Sequence, residues 1–223
     1  MEIQGLTVID VEDNGAVRVS EDLKAAQRRV AGFLERRGVV IKATRVPGLR
    51  HSLDIWSSML SASDQESFSV MLGNGRRIRP VPEMIKWAMR VSTHTFPAIM
   101  LAAFENLFKL MPSRTKRFVE AGMALREELV RLIGPSGIML YPSYSRPAPK
   151  HKKPLLTPFD FIYTAVLNMM ELPVTQVPLG LNEHGLPLGL QVAAVHGNDH
   201  VTIAIALGLE KEFGGWVPPG SAC

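Results

Sequence analysis

A strand–helix–strand pattern in the first fifty residues constrains the fold more than any other part of the sequence. Residues 6–11 are apolar and β-branched, which predicts a buried strand. Ser20 is suited to cap a helix that Gly38 ends, and residues 39–41 predict a second short buried strand. The apolar positions at helical spacing are Leu23, Ala26, Val30, Phe33 and Leu34. Strand, helix and strand belong to a βαβ unit, so we expect an α/β fold.

The middle of the chain is predicted to be helical. From residue 49 to about residue 134 apolar side chains recur at helical spacing, broken by residues 73–75 and by several prolines. Pro97 favours two short helices over one long helix. Ser113 is placed to cap the long amphipathic helix that follows.

The last third of the chain returns to strands. Apolar segments bounded by turn residues predict a buried strand, a helix and two strands joined by a tight turn. They are, in chain order, residues 137–142, 157–170, 173–180 and 188–194. Asn198 or Asp199 is predicted to cap a final helix that ends at Phe213. The chain is therefore expected to contain one partial domain in three sections, residues 1–48, 49–134 and 135–223.

Composition limits the kinds of binding partner and the cellular compartments that we expect for the chain. Lys and Arg number 25 against 21 Asp and Glu, a scattered net charge of +4 that argues against nucleic-acid binding. The single cysteine, Cys223, allows no intrachain disulfide, so an oxidising compartment is not required. Neither a signal peptide nor an apolar window long enough to span a membrane is recognised. We expect a protein that is cytoplasmic or peripheral on an intracellular membrane.

A search for catalytic and metal-binding motifs finds none that is complete. The Gly-x-Ser-x-Gly turn of many serine hydrolases does not occur. Ser113 and Lys116 have Ser-x-x-Lys spacing, but helix capping explains this serine better. His196 and His200 are four residues apart, yet a helix entry lies between them. We therefore expect no catalytic residue, no metal site and no cofactor.

The apolar block over residues 83–111 has three interpretations. It could be an ordinary pair of core helices. It could line a long apolar pocket, for which its several Met and Phe side chains are suited. It could also lie on a membrane surface, because Lys86, Arg90 and Lys109 flank the apolar positions.

The C-terminal third carries a family resemblance. Leu172 to Asn182 reads LPVTQVPLGLN, and Gly185 to Val192 reads GLPLGLQV. A Pro-Val strand, a turn and a Gly-Leu-Pro-x-Gly-x-Gln strand resemble the end of the amidase-signature enzymes. The segments Tyr141-Pro142-Ser143 and Phe161 to Thr164 are similar to the fatty-acid amide hydrolases of that family. The resemblance covers nearly the whole chain and is strongest after about residue 137.

This resemblance implies a fold and a chemistry. The fold would be the C-terminal portion of a large α/β/α domain with a mixed sheet. In such enzymes a serine, activated through a second serine by a lysine, attacks the amide carbonyl, and water then cleaves the acyl-enzyme. This sequence has no Gly/Ser-rich signature segment, no candidate for the second serine and no matching lysine, so we expect the chain to be inactive alone. An incomplete sheet would also leave an unpaired strand edge, which favours dimers or aggregates.

The resemblance also implies binding residues and partners. Tyr163, Thr164 and Leu167 would line the pocket for the acyl chain. Helices near residues 84–111 would form a cap that admits lipid from a membrane, with the side chains of Trp87, Met100, Phe104 and Phe108. The expected partners are a fatty-acid amide or another lipid-like substrate, a membrane surface and a second copy of the chain. The alternatives are a non-catalytic lipid-binding or membrane-surface module and one half of a split amidase.

Overall fold

The computed structural model describes residues 5–62, 68–109, 112–157 and 159–218; of residues 68, 104 and 106–109 it describes the backbone alone. Internal contacts divide the chain into two compact units. Residues 1–53 and 123–223 form the first unit, and residues 54–122 form the second. The second unit lies within the section that the sequence predicts to be helical.

A mixed sheet of five strands forms the centre of the first unit, as far as the chain is described. The strands are β1 (Thr7–Asp10), β2 (Val40–Ala43), β3 (Gly137–Pro142), β4 (Val174–Leu181) and β5 (Pro187–Ala193). Their order in the sheet is β2-β1-β3-β5-β4, in which β1 pairs parallel with both β2 and β3. Strand β5 pairs antiparallel with β3 and β4. The predicted α/β fold with a mixed sheet is confirmed.

The helices account for most of the remaining residues described. They are α1 (Glu21–Glu35), α2 (Ser52–Ala62), α3 (Phe68–Leu72), α4 (Pro80–Ala88), α5 (Phe96–Lys109), α6 (Pro112–Ile133), α7 (Ile162–Met169) and α8 (Asp199–Phe213). Two short 3₁₀ turns cover Pro47–His51 and Lys153–Leu156. No helix among the described residues is both long and apolar enough to cross a bilayer.

Strand β3 is the most deeply buried element of the sheet. All six of its residues are buried, and Ile138, Met139, Leu140 and Tyr141 have no exposed surface. Because alternate side chains of a strand point to opposite faces, both faces of the sheet are covered at this strand. Such burial explains the continuous apolar run from which the sequence predicts this strand.

The β4–β5 hairpin has the predicted position. Val174 pairs with Ala193 and Val177 with Leu190, and the register shifts between Pro178 and Leu181. The side-chain oxygen of Asn182 accepts hydrogen bonds from the amides of His184, at 3.0 Å, and Leu186, at 2.9 Å. Asn182 thus organises the turn through its side chain.

Several local predictions differ from the structure. Ser20 is at the N-cap of α1, but its hydroxyl makes no capping hydrogen bond. The second strand was expected to be buried, yet Val40 of β2 is 56% exposed because β2 lies at the edge of the sheet. Ser113 is the second residue of α6 and not its cap. Helix α7 begins at Ile162, after a 3₁₀ turn, and Pro158 is outside the described residues.

The second unit contains the two short helices expected on either side of residues 89–95. Pro97 is the second residue of α5, where a missing backbone N–H costs no helical hydrogen bond. Glu83 connects α4 to the following loop, accepting hydrogen bonds from Lys86 Nζ at 2.7 Å and Ser92 Oγ at 3.0 Å. The hydrogen bonds from Lys86 and then Ser92 lower the pKa of Glu83. The carboxylate therefore holds the loop against α4.

A buried polar contact joins β1 to α1. Gln27 is 1% exposed, and its Nε2 donates to Asp10 Oδ1 at 2.6 Å and to the carbonyl oxygen of Val11 at 3.1 Å. Burial raises the pKa of Asp10, an effect that the hydrogen bond from Gln27 partly offsets. Asp10 has little access to water, so Gln27 supplies the hydrogen bonding that solvent would otherwise provide.

We expect Gln27→Leu to lower the free energy of unfolding by about 1–3 kcal/mol, because it leaves the Asp10 carboxyl buried without its donor. Urea denaturation followed by circular dichroism measures this change. The double variant Asp10→Leu with Gln27→Leu should recover much of the loss, since both members of the pair become apolar. A double variant that is less stable than Gln27→Leu would contradict this role for the pair.

Candidate functional site

Helix α7 has one buried face and one open face. Ile162, Tyr163, Ala165, Val166 and Leu167 are buried, and their apolar side chains explain why this segment folds onto the first unit. Thr164 and Asn168 lie on the exposed face. The Thr164 hydroxyl donates to the carbonyl oxygen of Phe161 at 2.9 Å. Of the three predicted pocket residues, Thr164 is therefore at the surface, whereas Tyr163 and Leu167 are inside.

Apolar side chains are exposed in the segment that leads into α7. Leu155 is 46% exposed, Leu156 81% and Phe159 42%. We use the name α7 surface for these three side chains together with the exposed Thr164 and Asn168, which follow them in the sequence. An exposed group of large apolar residues with a few polar ones is typical of a ligand or interaction site. A role of Tyr163, Thr164 and Leu167 in an acyl pocket stays a prediction.

Tyr163 anchors α7 from its buried side. Its ring is 5.3 Å from the ring of Tyr141 on β3, and its hydroxyl donates to the carbonyl oxygen of Val17. The backbone N–H of Asn14 in turn donates to the Tyr163 oxygen at 3.4 Å. Burial raises the pKa of both tyrosines, so both hydroxyls stay protonated at neutral pH. They are therefore suited to hold structure and not to take up a proton.

The side chain of Gln191, on the buried side of α7, connects three secondary-structure elements. Its Nε2 donates to the carbonyl oxygen of Pro142 at 2.8 Å and to that of Tyr163 at 3.4 Å. The side chain is 4% exposed. Strands β3 and β5 and helix α7 thus meet at one amide. The sequence contains this residue in its Gly-Leu-Pro-x-Gly-x-Gln segment, and a polar side chain within an apolar strand is the signal that could have identified it.

An open groove of about 560 Å³ lies beside the carboxyl end of β3. Its lining is mostly apolar and comes from the loop after β3, the hairpin β4–β5, the start of α1 and Trp216. The lining residues are Leu23, Ser143, Tyr144, Arg146, Pro147, Ala148, Pro149, Gln176, Pro178, Pro187, Leu188, Gly189 and Trp216. The carboxyl ends of parallel strands are the usual ligand position in open α/β sheets. Sequence reasoning did not identify this groove.

One ion pair holds the loop after β3, which contributes to the lining of that groove. Arg146 Nε is 3.0 Å from Asp160 Oδ2, and the Asp160 side chain is 4% exposed. The same Nε–H donates to Ser145 Oγ at 3.2 Å. The loop after β3 is thereby connected to the segment that enters α7, so the groove and the α7 surface share a support.

The predicted cap residues lie in the second unit. Trp87 is 43% exposed, and its ring is 5.0 Å from that of Phe96. Met100 is half-buried in α5. The side chains of Phe104 and Phe108 lie outside the described residues. A lipid-admitting role for these four residues remains a prediction.

Residues that could carry out chemistry are dispersed. Ser113 and Lys116 are both exposed on α6. In the part of the chain that the structure describes, no three His, Cys, Asp or Glu side chains come together as a metal site would require. Asn198 is at the N-cap of α8, so a helix begins between His196 and His200. Its side chain makes no capping hydrogen bond; Nδ2 donates instead to the carbonyl oxygen of Pro135 at 2.7 Å. What the arrangement offers is surface for binding.

The family of the chain is settled by a match to the Amidase family model over residues 3–203. The chain belongs to the amidase family. The resemblance to the amidase-signature enzymes, expected over nearly the whole chain, is thereby confirmed.

Individual relatives agree with this assignment. Fatty-acid amide hydrolase 2 from Homo sapiens is 41% identical over 210 residues, which are 91% of this chain and 40% of the relative. Fatty-acid amide hydrolase 2-B from Danio rerio is 42% identical over 220 residues, 94% of this chain and 41% of the relative. This amidase-family chain thus spans about two fifths of the length of these curated relatives.

The fold is also that of a solved amidase. The peptide amidase from Stenotrophomonas maltophilia superposes with a TM-score of 0.62 over 99% of this chain and 45% of that one. The sequences are 15% identical. At that identity the similarity speaks for the fold alone.

We expect Tyr163→Phe to lower the free energy of unfolding by about 1–2 kcal/mol, because the part-buried carbonyl oxygen of Val17 loses its donor. Thr164→Ala is a matched control on the neighbouring residue of α7, and it should change stability by less than about 0.5 kcal/mol because Thr164 is exposed. Thermal or urea unfolding of both variants measures the difference. Equal effects at the two positions would contradict the anchoring role of Tyr163.

Proposed function

We propose that this chain is the C-terminal part of a fatty-acid-amide-hydrolase-like amidase, and that the complete enzyme hydrolyses the amide bonds of lipid amides. The observation that carries the proposal is the 41% identity to fatty-acid amide hydrolase 2 over 91% of this chain. Identity at that level is more than family membership alone requires. It favours a substrate class related to that of fatty-acid amide hydrolase 2. A fatty-acid amide is accordingly the proposed substrate of the complete enzyme.

The α7 surface supports an apolar substrate. Leu155, Leu156 and Phe159 present apolar side chains next to the exposed Thr164. In this proposal Thr164 faces the acyl chain, while Tyr163 and Leu167 hold the helix in place from beneath. Desolvating a long alkyl chain against such a surface is favourable by about 0.8 kcal/mol for each buried methylene.

The chemical step belongs to groups that this sequence does not supply. Amide hydrolysis by a serine requires a base that activates the nucleophile and backbone donors that stabilise the oxyanion. Neither the serine pair nor the lysine of the amidase signature has a match in this sequence. We therefore propose that the chain is inactive alone and contributes one wall of the substrate site.

A chimera tests this function. Replacing the matching segment of human fatty-acid amide hydrolase 2 with this chain should give a protein that hydrolyses a long-chain fatty-acid amide. In the chimera, Thr164→Trp should lower kcat/KM at least about tenfold for long acyl chains, because an indole would fill the channel. Amides of short acyl chains should be affected less.

The isolated chain provides the complementary measurement. It should neither hydrolyse the amide nor be labelled by a serine-directed phosphonate, since the nucleophile is missing. Hydrolysis by the isolated chain would contradict the proposal. A folded but inactive chimera would contradict it as well.

A second candidate function, a non-catalytic contact with a membrane surface, is favoured by exposed apolar side chains of α4 and the loop after it. Five large apolar side chains there are between 43% and 69% exposed: Val81, Ile85, Trp87, Met89 and Val91. Five exposed cations surround them: Arg76, Arg77, Arg79, Lys86 and Arg90. The acid within this stretch, Glu83, is paired with Lys86. Apolar residues bordered by cations suit a surface of anionic lipid.

Vesicle co-sedimentation tests this second function. The chain should sediment with vesicles that contain phosphatidylserine and less with vesicles of phosphatidylcholine alone. The triple variant Ile85→Ser, Trp87→Ser, Met89→Ser should lower binding at least about tenfold, because each buried apolar side chain contributes about 1.5–3 kcal/mol.

The control variant removes exposed apolar side chains elsewhere. Ile203 and Leu207 on α8 are 51% and 62% exposed, and Ile203→Ser with Leu207→Ser should bind vesicles as the unmodified chain does. If the two variants lose vesicle binding to the same extent, the apolar side chains of α4 and its following loop are not a specific membrane-binding site.

A further inference from the structure

Buried polar atoms without a hydrogen-bond partner are concentrated in the first unit. Within the described residues there are five such side-chain atoms: Asn14 Nδ2, Ser20 Oγ, Ser58 Oγ, Tyr141 Oη and Asp160 Oδ2. All but Ser58 belong to β3, to the loop between β1 and α1, or to the segment just before α7. Because a buried polar group without a partner is costly, such a group indicates hydrogen bonding that the protein's own groups do not supply.

The carboxamide of Asn14 has a defined orientation. Its Oδ1 accepts hydrogen bonds from the amides of Ala16, at 3.0 Å, and Val17, at 2.8 Å. The hydroxyl oxygen of Tyr163 lies 3.3 Å from the same atom. Since the oxygen of a carboxamide accepts and its nitrogen donates, these contacts fix which end is which. Nδ2 is therefore a donor on the other side of the group, in a residue that is 2% exposed.

Tyr141 provides a second such group next to Tyr163. Its side chain is fully buried, and its ring centroid is 5.3 Å from that of Tyr163. Burial raises the pKa of Tyr141, and the charges that Tyr163 and Asp13 carry when ionised raise it further. The hydroxyl thus stays protonated at neutral pH and is able both to donate and to accept. Asn14 and Tyr141 are in this way neighbours of the same tyrosine.

Ser20 contributes a third polar atom at the same end of the sheet. Strands β1 and β3 are parallel, so the loop that follows β1 lies at the carboxyl end of both. The amide of Ser20 donates to the carbonyl oxygen of Ser145 at 2.8 Å, which places it against the loop after β3. Its hydroxyl does not cap α1, although Ser20 is at the N-cap. The hydroxyl is therefore available to another partner.

The chemistry of these atoms selects water as that partner. Atoms with almost no accessible surface are out of reach of a polypeptide segment or an organic ligand, whereas internal water commonly satisfies them. A cation would need several oxygen ligands that carry negative charge. The carboxylate among these atoms, that of Asp160, already faces Arg146 Nε at 3.0 Å. An amide donor and hydroxyls that donate and accept match the two lone pairs and two protons of water.

We propose that an ordered water molecule is bound at the carboxyl end of β3, where it accepts a hydrogen bond from Asn14 Nδ2 and bonds to the hydroxyl of Tyr141. This water connects β3 to the loop between β1 and α1. The same loop contains Val17, whose carbonyl oxygen accepts the Tyr163 hydroxyl, so the water also supports α7. The site is a property of the folded chain and does not depend on the proposed amidase function.

A high-resolution crystal structure of the isolated chain tests the site directly. One water oxygen should lie within about 2.7–3.2 Å of both Asn14 Nδ2 and Tyr141 Oη. In solution, the side-chain amide protons of Asn14 should show cross-relaxation with a water molecule that stays bound for longer than the protein takes to tumble. A direct hydrogen bond from either atom to another protein group, or a site without electron density for water, overturns the inference.

Tyr141→Phe distinguishes a hydroxyl that binds water from one that has no partner at all. Loss of a water-bonded hydroxyl should lower the urea midpoint of unfolding and shorten the residence time of the water at Asn14 about tenfold, because one of its hydrogen bonds is removed. Loss of a hydroxyl without a partner would leave the midpoint unchanged or raise it, because an uncompensated buried group disappears.

Ser58→Ala is the matched control for this substitution. The Ser58 hydroxyl is fully buried and has no hydrogen-bond partner as far as the chain is described, but it belongs to the second unit. Its removal should not lower the midpoint. A midpoint for Tyr141→Phe that stays level or rises overturns the inference. If Tyr141→Phe does not fold, the crystal structure of the unmodified chain decides.

Discussion

The burial of β3 between β1 and β5 is the constraint on which the rest of the first unit depends. This strand joins the parallel and the antiparallel parts of the sheet, and its six residues are withdrawn from water. Tyr141 on the strand contacts Tyr163, while the carbonyl oxygen of Pro142 accepts the Gln191 amide. Helix α7 is therefore positioned by β3. The groove adjoins the loop that follows this strand, and the α7 surface is connected to the same loop through Arg146 and Asp160.

The unit made of residues 1–53 and 123–223 combines a well-packed interior with several open surfaces. Its polar contacts inside are specific, as at Gln27 and Gln191, whereas Leu155, Leu156 and Phe159, in the segment before α7, have apolar side chains exposed to solvent. Under the proposed function, other parts of an amidase would cover these open faces. Membership of the amidase family, with relatives about two and a half times as long, is consistent with that description.

Much of the fold could be predicted from sequence because the relevant signals are local. Strand β3 and the β4–β5 hairpin follow from apolar runs and turn residues, and the amidase resemblance came from the same segments. The exposure of β2 could not be predicted, since it depends on strand order. The hydrogen bond from Tyr163 to Val17 spans 146 positions of sequence and leaves no local pattern. For the same reason the sequence could suggest Thr164 and Tyr163 as pocket residues but could not show that Thr164 is exposed and Tyr163 buried.

The pairing of β1 with β3 has a consequence for how the chain is made. Thr7 pairs with Gly137, so 130 residues separate two adjacent strands, and residues 54–122 form a compact unit of their own between them in the sequence. At ordinary rates of translation β3 leaves the ribosome on the order of 10 s after β1. During that interval Val8 and Ile9, which have almost no exposed surface in the folded protein, lack the strand that covers them. The parallel pairing of β1 with β3 can therefore form only after residues 54–122 have been synthesised.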